Sequence, residues 1–471
     1  MNKKIYIIYI MLFMALCVTP LVTMPFYSNN EAAEKRKTQE FPSFMENNRF
    51  NTGYFKQITD YFNDNYGLRQ ELASINAFIR KETFVSSAEE NVVVGTDGWL
   101  YYADTIDNYC GFQKMNKRQV HNCTKVLRLI EEYVKNQGGV FLFAAAPNKN
   151  TLYDENMPYY YIKDNKKSNL DMLYEALDDN KVLNINLKHL FSSDSRILYH
   201  KLDTHWNNAG AAFAGKSIAK ALNKEFVDYD KIDYCITKDF TGDLYQMLCP
   251  SGKEKDEDIL YNYQFHFNYE NAGVTTDMPK FATWNENATG TLVMYRDSFG
   301  NALAPFIAEE FGHCIFTKAV PYDLTDVKAG NTDCVIIELA ERHLKQLQEG
   351  IPVMEAPVRE NIKKCKYLRE NNADIKLESG RNNELVKLYG YVDPRYTDDD
   401  SDIYVQITIN DAVYTYEAFP VVDNIYLNEE MNDYGYGVYV PKELIKGGVM
   451  IEVITEKDGV FYTSGNLMGR F

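Results

Sequence analysis

The chain has 471 residues, 45% of them apolar and 25% charged, with a formal net charge of −17. That balance is too apolar for disorder, and the length exceeds one average domain, so two to four globular units are expected. An acidic surface gains nothing from counterion release, which sets nucleic-acid binding aside. The 36 tyrosines suit carbohydrate stacking and an ordinary core equally well.

The first element is an uncharged run from Ile5 to Pro25, preceded by Lys3 and Lys4. About 20 apolar residues span a bilayer as a helix, and basic residues before the run place the body outside the cytoplasm. Residues 1–25 therefore read as a transmembrane signal anchor. A cleaved signal peptide is the rival, although no small-x-small site follows. Cys17 raises a lipid-anchor reading, which Leu16 before it disfavours. Residues 26–90 read as a polar stalk, containing Pro42, followed by a helical segment. In that segment the apolar spacing from Tyr54 to Leu68 and from Leu72 to Ile79 predicts two helices broken at Gly67.

Residues 91–370 alternate strand and helix. Asn91–Val94 and Trp99–Tyr102 flank a turn containing Gly95 and Gly98 and predict a hairpin. Then follow helix 120–137, strand 139–146, helix 170–178, strand 182–186 and helix 209–222. Strand 291–295, helix 301–311 and strands 314–318 and 333–339 complete the unit. Apolar strands alternating with helices imply a mostly parallel sheet covered on both faces. Residues 371–471 change to alternating strands, with Asn410-Asp411 as a hairpin turn, and predict a small antiparallel β-sandwich. Of eight cysteines, Cys17 lies in the apolar run and seven lie outside it, including Cys365. Cys110 with Cys123 and Cys235 with Cys249 are candidate disulfide pairs, and Cys314 and Cys334 read as buried strand thiols. No cysteine or histidine spacing suits zinc, so neither metal nor cofactor is expected.

Two segments carry chemistry. Asp203-Thr204-His205-Trp206-Asn207 precedes a helix, and Arg296-Asp297-Ser298-Phe299-Gly300 joins a strand to a helix. A nucleophilic serine needs an exposed hydroxyl and a base, and a strand-to-helix turn supplies exposure together with unpaired N–H groups for an oxyanion. Asp203 and His205, two apart, point the same way in extended chain, so the carboxylate can fix the imidazole tautomer. Each segment also has an ordinary reading: Asp-Ser at a helix start as a cap, Asp-x-His on a loop as a surface hydrogen-bonded pair.

Asp203-Thr204-His205-Trp206 with Arg296-Asp297-Ser298-Phe299 resembles the alginate O-acetyltransferase family and the related DHHW family of SGNH-hydrolase-like proteins. Gly95–Tyr102, Pro147–Tyr153 with Met157-Pro158, Gly242-Asp243-Leu244 and Glu338–Arg342 match the same pattern, so the resemblance covers about residues 36–345. Thr204 stands where the DHHW name puts histidine. The resemblance implies Ser298 as nucleophile, His205 as general base and Asp203 as its orienter. The Asp–His block precedes the serine, a permuted order relative to ordinary SGNH hydrolases. Read as a permutation, it brings Arg342, with the Ser298 N–H, near the oxyanion. Asn148, Lys149, Trp206 and Arg296 are further substrate-binding candidates. For Lys149 a solvated turn, for Arg342 a structural ion pair and for Trp206 loop packing stay open.

The resemblance implies an extracytoplasmic O-acetyltransferase acting on a cell-surface or exported polysaccharide. The acetyl group would be supplied by a polytopic membrane-bound O-acyltransferase, and the chain would be held at the cell membrane by its N-terminal helix. An SGNH-type carbohydrate esterase has the same triad. A non-catalytic polysaccharide-binding export scaffold is the third reading. Residues 371–471 could bind carbohydrate or serve structure alone.

Overall fold

The computed structural model describes residues 3–26, 38–46, 49–327, 331–360, 362, 366–367, 373–379, 384–422, 433–445 and 447–470. Cys365 and parts of the predicted stalk, 27–37 and 47–48, lie outside the described residues. Helix α1 spans Lys3–Thr23. Helices α2 (Tyr54–Asn65) and α3 (Arg69–Phe84) follow, separated at Gly67 as the sequence predicts. Strands β1 (Val92–Val94) and β2 (Leu100–Tyr102) pair as the predicted hairpin. Asp97 and Gly98 sit at positive φ in its turn.

A seven-stranded mixed sheet forms the centre. Helix α4 (Lys117–Asn136) leads into β3 (Val140–Ala146), and α5 (Asn169–Asp179) leads into β4 (Asn184–Ile185). Then come α6 (Asn208–Ala221), the hairpin β5 (Tyr234–Phe240) and β6 (Asp256–Tyr261), and the short β7 (Asn268–Tyr269). Strands β8 (Lys280–Trp284) and β9 (Thr291–Tyr295), helix α7 (Gly300–Ala308), β10 (His313–Thr317) and β11 (Cys334–Ala340) close the unit. The strand order is β4-β3-β11-β9-β10-β8-β7. The first five strands are parallel, while β8 and β7 are antiparallel edge additions.

The sequence of the central strands explains their place. Every residue of β11, Cys-Val-Ile-Ile-Glu-Leu-Ala, is buried, as a parallel strand covered on both faces requires. One face packs Phe141, Phe143, Val293, Val335 and Ile337 against α4 and α5; the other packs Leu142, Leu292, Met294 and Ile336 against α6 and α7. Each such side chain contributes about 1.5–3 kcal/mol by leaving water. Helix α4 starts with a capping box between Asn116 and Gln119.

Beyond the central sheet lie two further sheets. Strands β12 (Lys366–Tyr367), β13 (Lys376–Ser379), β14 (Leu385–Tyr391), β15 (Tyr404–Ile409), β16 (Ala412–Glu417) and β17 (Phe419–Val421) come first. Strands β18 (Gly435–Pro441), β19 (Gly448–Lys457) and β20 (Val460–Arg470) complete them. The orders are β12-β20-β19-β15-β16 and β13-β14-β18-β17. Pairing is antiparallel throughout except for β12 on β20. Leu388, Val405, Ile407, Val438, Ile451 and Val453 fill the space between the sheets.

Several expectations shift. The predicted disulfides do not form: Cys110, Cys123, Cys235 and Cys249 are all free thiols. The reason is placement. Cys123 lies on the core face of α4, its Sγ directed to the Leu344 carbonyl at 3.5 Å, whereas Cys110 lies on a surface turn. Cys249 is buried at the end of the Asp243–Leu248 helix, and Cys235 is exposed on β5. Cys314 and Cys334 are buried strand thiols, as expected. Strand 182–186 shrinks to two paired residues: the Val182 N–H closes on the Leu177 carbonyl at the end of α5, and the Leu183 N–H meets Glu131. Helix α7 ends at Ala308, short of the predicted Phe311.

Candidate active site

Strand β9 delivers its last residue, Tyr295, to the carboxyl end of the sheet, and the chain turns through Arg296-Asp297-Ser298-Phe299 into α7. Open α/β sheets bind ligands at that end. Among the described residues no side chain caps the helix that follows, and the turn is held by Asp297. Asp297 Oδ1 accepts the Phe299 N–H at 2.8 Å, and Oδ2 accepts the Ala340 N–H at 2.7 Å and faces His343 Nδ1 at 3.0 Å. Burial opposes its charge, but His343 and Arg342 hold the Asp297 carboxyl below its ordinary range. The turn is thus tied to the end of β11, and the Ser298 hydroxyl does not cap the helix.

That hydroxyl meets His205. Ser298 Oγ lies 2.8 Å from His205 Nε2, and His205 Nδ1 lies 2.6 Å from Asp203 Oδ1. The loop carrying the pair folds back tightly. Tyr199 bridges to Trp206, the His200 N–H donates to the His205 carbonyl, and Asn207 caps α6 through the Gly210 N–H. Asp203 is buried and accepts two further hydrogen bonds: Oδ1 takes the His205 N–H, and Oδ2 takes the Asp243 N–H at 2.7 Å. Gly242 makes the latter approach possible. A Cβ there would lie 2.2 Å from the Leu202 carbonyl. Asp243 in turn accepts the N–H and hydroxyl of Thr204, each at 2.8 Å.

Electrostatics follow from this packing. Burial works against a charged Asp203, but the His205 charge and hydrogen bond hold its carboxyl far below the usual range. Burial likewise opposes an imidazolium at His205. The neighbouring Asp203 outweighs it, with help from Asp243, and raises the imidazole above its ordinary value. If neutral His205 is the base, kcat/KM for an ester should rise with pH through a value above about 6.5, the ordinary imidazole pKa. Asp203→Asn should then move that limb to lower pH with a lower plateau. A pH–rate profile of both proteins checks this. A limb that stays in place in the variant would sever the link.

The remaining candidates have distinct environments. Lys149 is buried; its ammonium donates to the carbonyls of His200, Lys201 and Asp203 at 3.0, 3.0 and 2.6 Å. Burial pulls it down to about 8. It braces the His205 loop from below, so the solvated-turn expectation does not hold. The Asn148 N–H donates to Glu341 Oε2 at 2.8 Å. Trp206 is buried, and its indole N–H donates to the Phe299 carbonyl at 3.1 Å, joining the His205 and Ser298 segments. Arg296 is also buried. It donates to the Asp297, Thr276 and Met278 carbonyls and to Asn301, and so secures the Ser298 turn. Arg342 is half-buried, with its guanidinium over the Tyr102 and Phe299 rings at 5.6 and 5.4 Å. It lies close enough to favour a charged Asp297 and a neutral His205.

Sequence reasoning assigned no role to Asp243, Asp297, His343 or Glu338. Asp243 and Asp297 stood inside quoted motifs, so their position was visible and their partners were not. Glu338, buried in β11, is driven well above the carboxylate range by burial and by the charge of Asp297. Asp203, His205 and Asp243 present possible metal-ligand atoms within 4.8 Å of one another. Hydrogen bonds already engage the oxygens of both carboxylates and Nδ1 of the ring.

A parallel sheet with a serine turn after a central strand, facing an Asp-x-His loop, defines an SGNH hydrolase-like domain. Residues 92–266 match the family model described as "SGNH hydrolase-like domain, acetyltransferase AlgX", the family type the sequence resembles. The matched region contains Asp203 and His205 and ends before Ser298. PatB1 of Bacillus cereus is similar at 19% identity, over 54% of this chain and 96% of that one, with a TM-score of 0.43. The O-acetyltransferase domain of Pseudomonas putida AlgJ is similar at 15% identity, over 54% and 92%, with a TM-score of 0.38. Pseudomonas aeruginosa AlgX is similar at 12% identity, over 81% and 96%, with a TM-score of 0.34. No curated protein matches the chain.

Proposed function

We propose that the chain is an extracytoplasmic O-acetyltransferase that passes an acetyl group through Ser298 to a hydroxyl of a cell-surface or exported polysaccharide. The observation that carries this reading is the unbroken line from Ser298 Oγ to His205 Nε2 and from Nδ1 to Asp203, at 2.8 and 2.6 Å. His205 takes the serine proton as Oγ attacks the acetyl carbonyl. The negative oxygen that develops is met by N–H groups at the start of α7 and by the Arg342 charge. The protonated His205 then gives its proton to the leaving group. In the second half a sugar hydroxyl, deprotonated by His205, attacks the acetyl-serine and restores Ser298.

The acetyltransferase description of the matched family model favours a sugar acceptor over water. Helix α1, 21 residues long and apolar, favours a membrane-held enzyme served by a polytopic membrane-bound acyl donor. Residues 1–25, 26–90, 91–370 and 371–471 are proposed as anchor, stalk with helical segment, catalytic domain and β-sandwich. Partition of the acyl-enzyme toward sugar against water at ~55 M needs an acceptor held in attack geometry, and oriented groups reach effective molarities of about 10⁵ M or more. The test supplies a soluble acetyl donor with oligosaccharides of candidate surface polymers. Acetylated sugar and free acetate are then measured by mass spectrometry. Acetylated oligosaccharide that vanishes in His205→Ala is the expected result. Free acetate alone, with deacetylation of acetylated polymers, would replace this reading by the esterase.

A further inference from the structure

The N-terminal segment exposes apolar surface that nothing among the described residues covers. Helix α3 has three sides. Gln70, Ser74 and Ala77 are buried against the body, and Asn76, Arg80 and Thr83 form a polar exposed side. Between them runs a third stripe of Ile75, Phe78 and Ile79, exposed by 57, 62 and 50%, with Glu71 before it and Glu82 after Phe78 on the same side. Helix α2 carries a matching stripe, with Phe55 72% and Phe62 41% exposed. Phe44 packs edge-on against Tyr54 and Phe50, and Phe41 against Tyr61, yet all three phenylalanines stay largely exposed. A soluble surface rarely exposes so many large apolar side chains within so short a stretch of chain.

This surface adjoins the end of α1. The turn between α2 and α3 docks on it: the Gly67 N–H donates to the Pro20 carbonyl at 2.9 Å. A Cβ at Gly67 would lie 2.1 Å from Thr23 Oγ1 and 2.9 Å from the Met24 nitrogen, so the approach requires glycine. Helix α1 is about 31 Å long at 1.5 Å per residue, close to the bilayer core of about 30 Å. If α1 crosses the membrane, Pro20 and Thr23 lie near its outer boundary, and Gly67 is pinned at that level. Phe62 is little more than one turn before Gly67, and Leu72 little more than one turn after.

We propose that α2, α3 and the side chains of Phe41, Phe44 and Phe50 form a second, peripheral membrane contact, seated on the outer leaflet of the bilayer that α1 crosses. The ligand is the boundary between lipid headgroups and acyl chains. This rests on the reading of α1 as a retained anchor. An amphipathic helix binds such a boundary by burying its apolar side by about 5–10 Å while its polar side stays wet. The contact would hold the body at a fixed height above the bilayer instead of leaving it on a single helix.

The test places the full chain in lipid nanodiscs and introduces tryptophan at exposed positions, Phe55→Trp and Ile79→Trp, with Val413→Trp on the exposed β16 strand as the remote control. Bromine on lipid acyl chains quenches indole on contact. Emission added by Phe55→Trp and Ile79→Trp should be lost in brominated discs and kept in ordinary ones, while that of Val413→Trp is kept in both. A chain that elutes with the discs while both probes stay bright, or equal quenching at Val413→Trp, overturns the lipid contact and leaves the anchor standing. A chain that does not elute with the discs removes the anchor and this contact together.

Discussion

Ser298→Ala is expected to cut turnover of an activated acetyl ester by roughly 10⁴-fold or more while leaving the fold intact. The size follows from removing the nucleophile of a cooperating set, where loss of one member costs nearly as much as loss of all. The intact fold follows from the contacts. Among the described residues the Ser298 hydroxyl has one hydrogen-bond partner, His205 Nε2, and the helix start is held by Asp297 and Arg296 instead. Rates with nitrophenyl acetate and the thermal midpoint of each protein separate the two quantities. An unchanged midpoint with lost turnover is the expected pair. Near-normal turnover would return Ser298 to a structural part of the turn and end the acyl-enzyme reading. Trapping is the complement: a sulfonyl fluoride should label the wild-type chain at Ser298 and leave the variant unlabelled.

The parts of this architecture that the sequence made legible are those with strong periodicity. Strands β3, β9 and β11 are runs of apolar residues bounded by turns, and their extent matched the expectation to within one residue at each end. The Asp203–His205 and Ser298 segments were legible because their chemistry sits in short contiguous motifs. What brought them together was not. The hairpin β5–β6 went unread because most of its residues face solvent and alternate weakly, although Asp256 on β6 accepts the Leu202 N–H at 2.6 Å and fixes the Asp203 loop. Strand β8, one in from the sheet edge, is five residues long and mixed in polarity, with the same result. Lys149 shows the limit of local reasoning. A lysine after a strand end suggests solvent, yet three backbone carbonyls from a loop some 50 residues away draw its ammonium inward. Such contacts depend on tertiary packing that no residue spacing encodes.

Packing between the central unit and the C-terminal sheets also escaped the sequence, and it leads to the largest expected loss of stability. Glu417, at the end of β16 and 2% exposed, is engaged by Lys125, Arg128 and Arg359. Lys125 is almost fully buried on α4 and also meets Asp402 at 2.5 Å, while Arg359 reaches Glu132 on α4 at 2.5 Å. Burial pulls the Lys125 ammonium down to about 7 against the pull of Asp402, so its charge is held only by these carboxylates. Glu417→Gln keeps the volume and removes the charge, leaving Lys125 with Asp402 alone. Breaking a buried pair from one side costs about 3–5 kcal/mol. The two arginines are partly exposed and their share is screened by water, so the lower end, about 3 kcal/mol, is expected. At about 2–4 °C per kcal/mol for a unit of 150–250 residues, the unfolding midpoint should fall by roughly 6–12 °C. Lys125→Met in the same background should recover a large part of the fall, because it removes the cation that was stranded. Thermal unfolding of the full chain, wild type against single and double variants, reads the coupling directly. Equal midpoints in wild type and Glu417→Gln would mean that the apolar contacts of α4 with β17 hold the junction and the ionic cluster adds nothing.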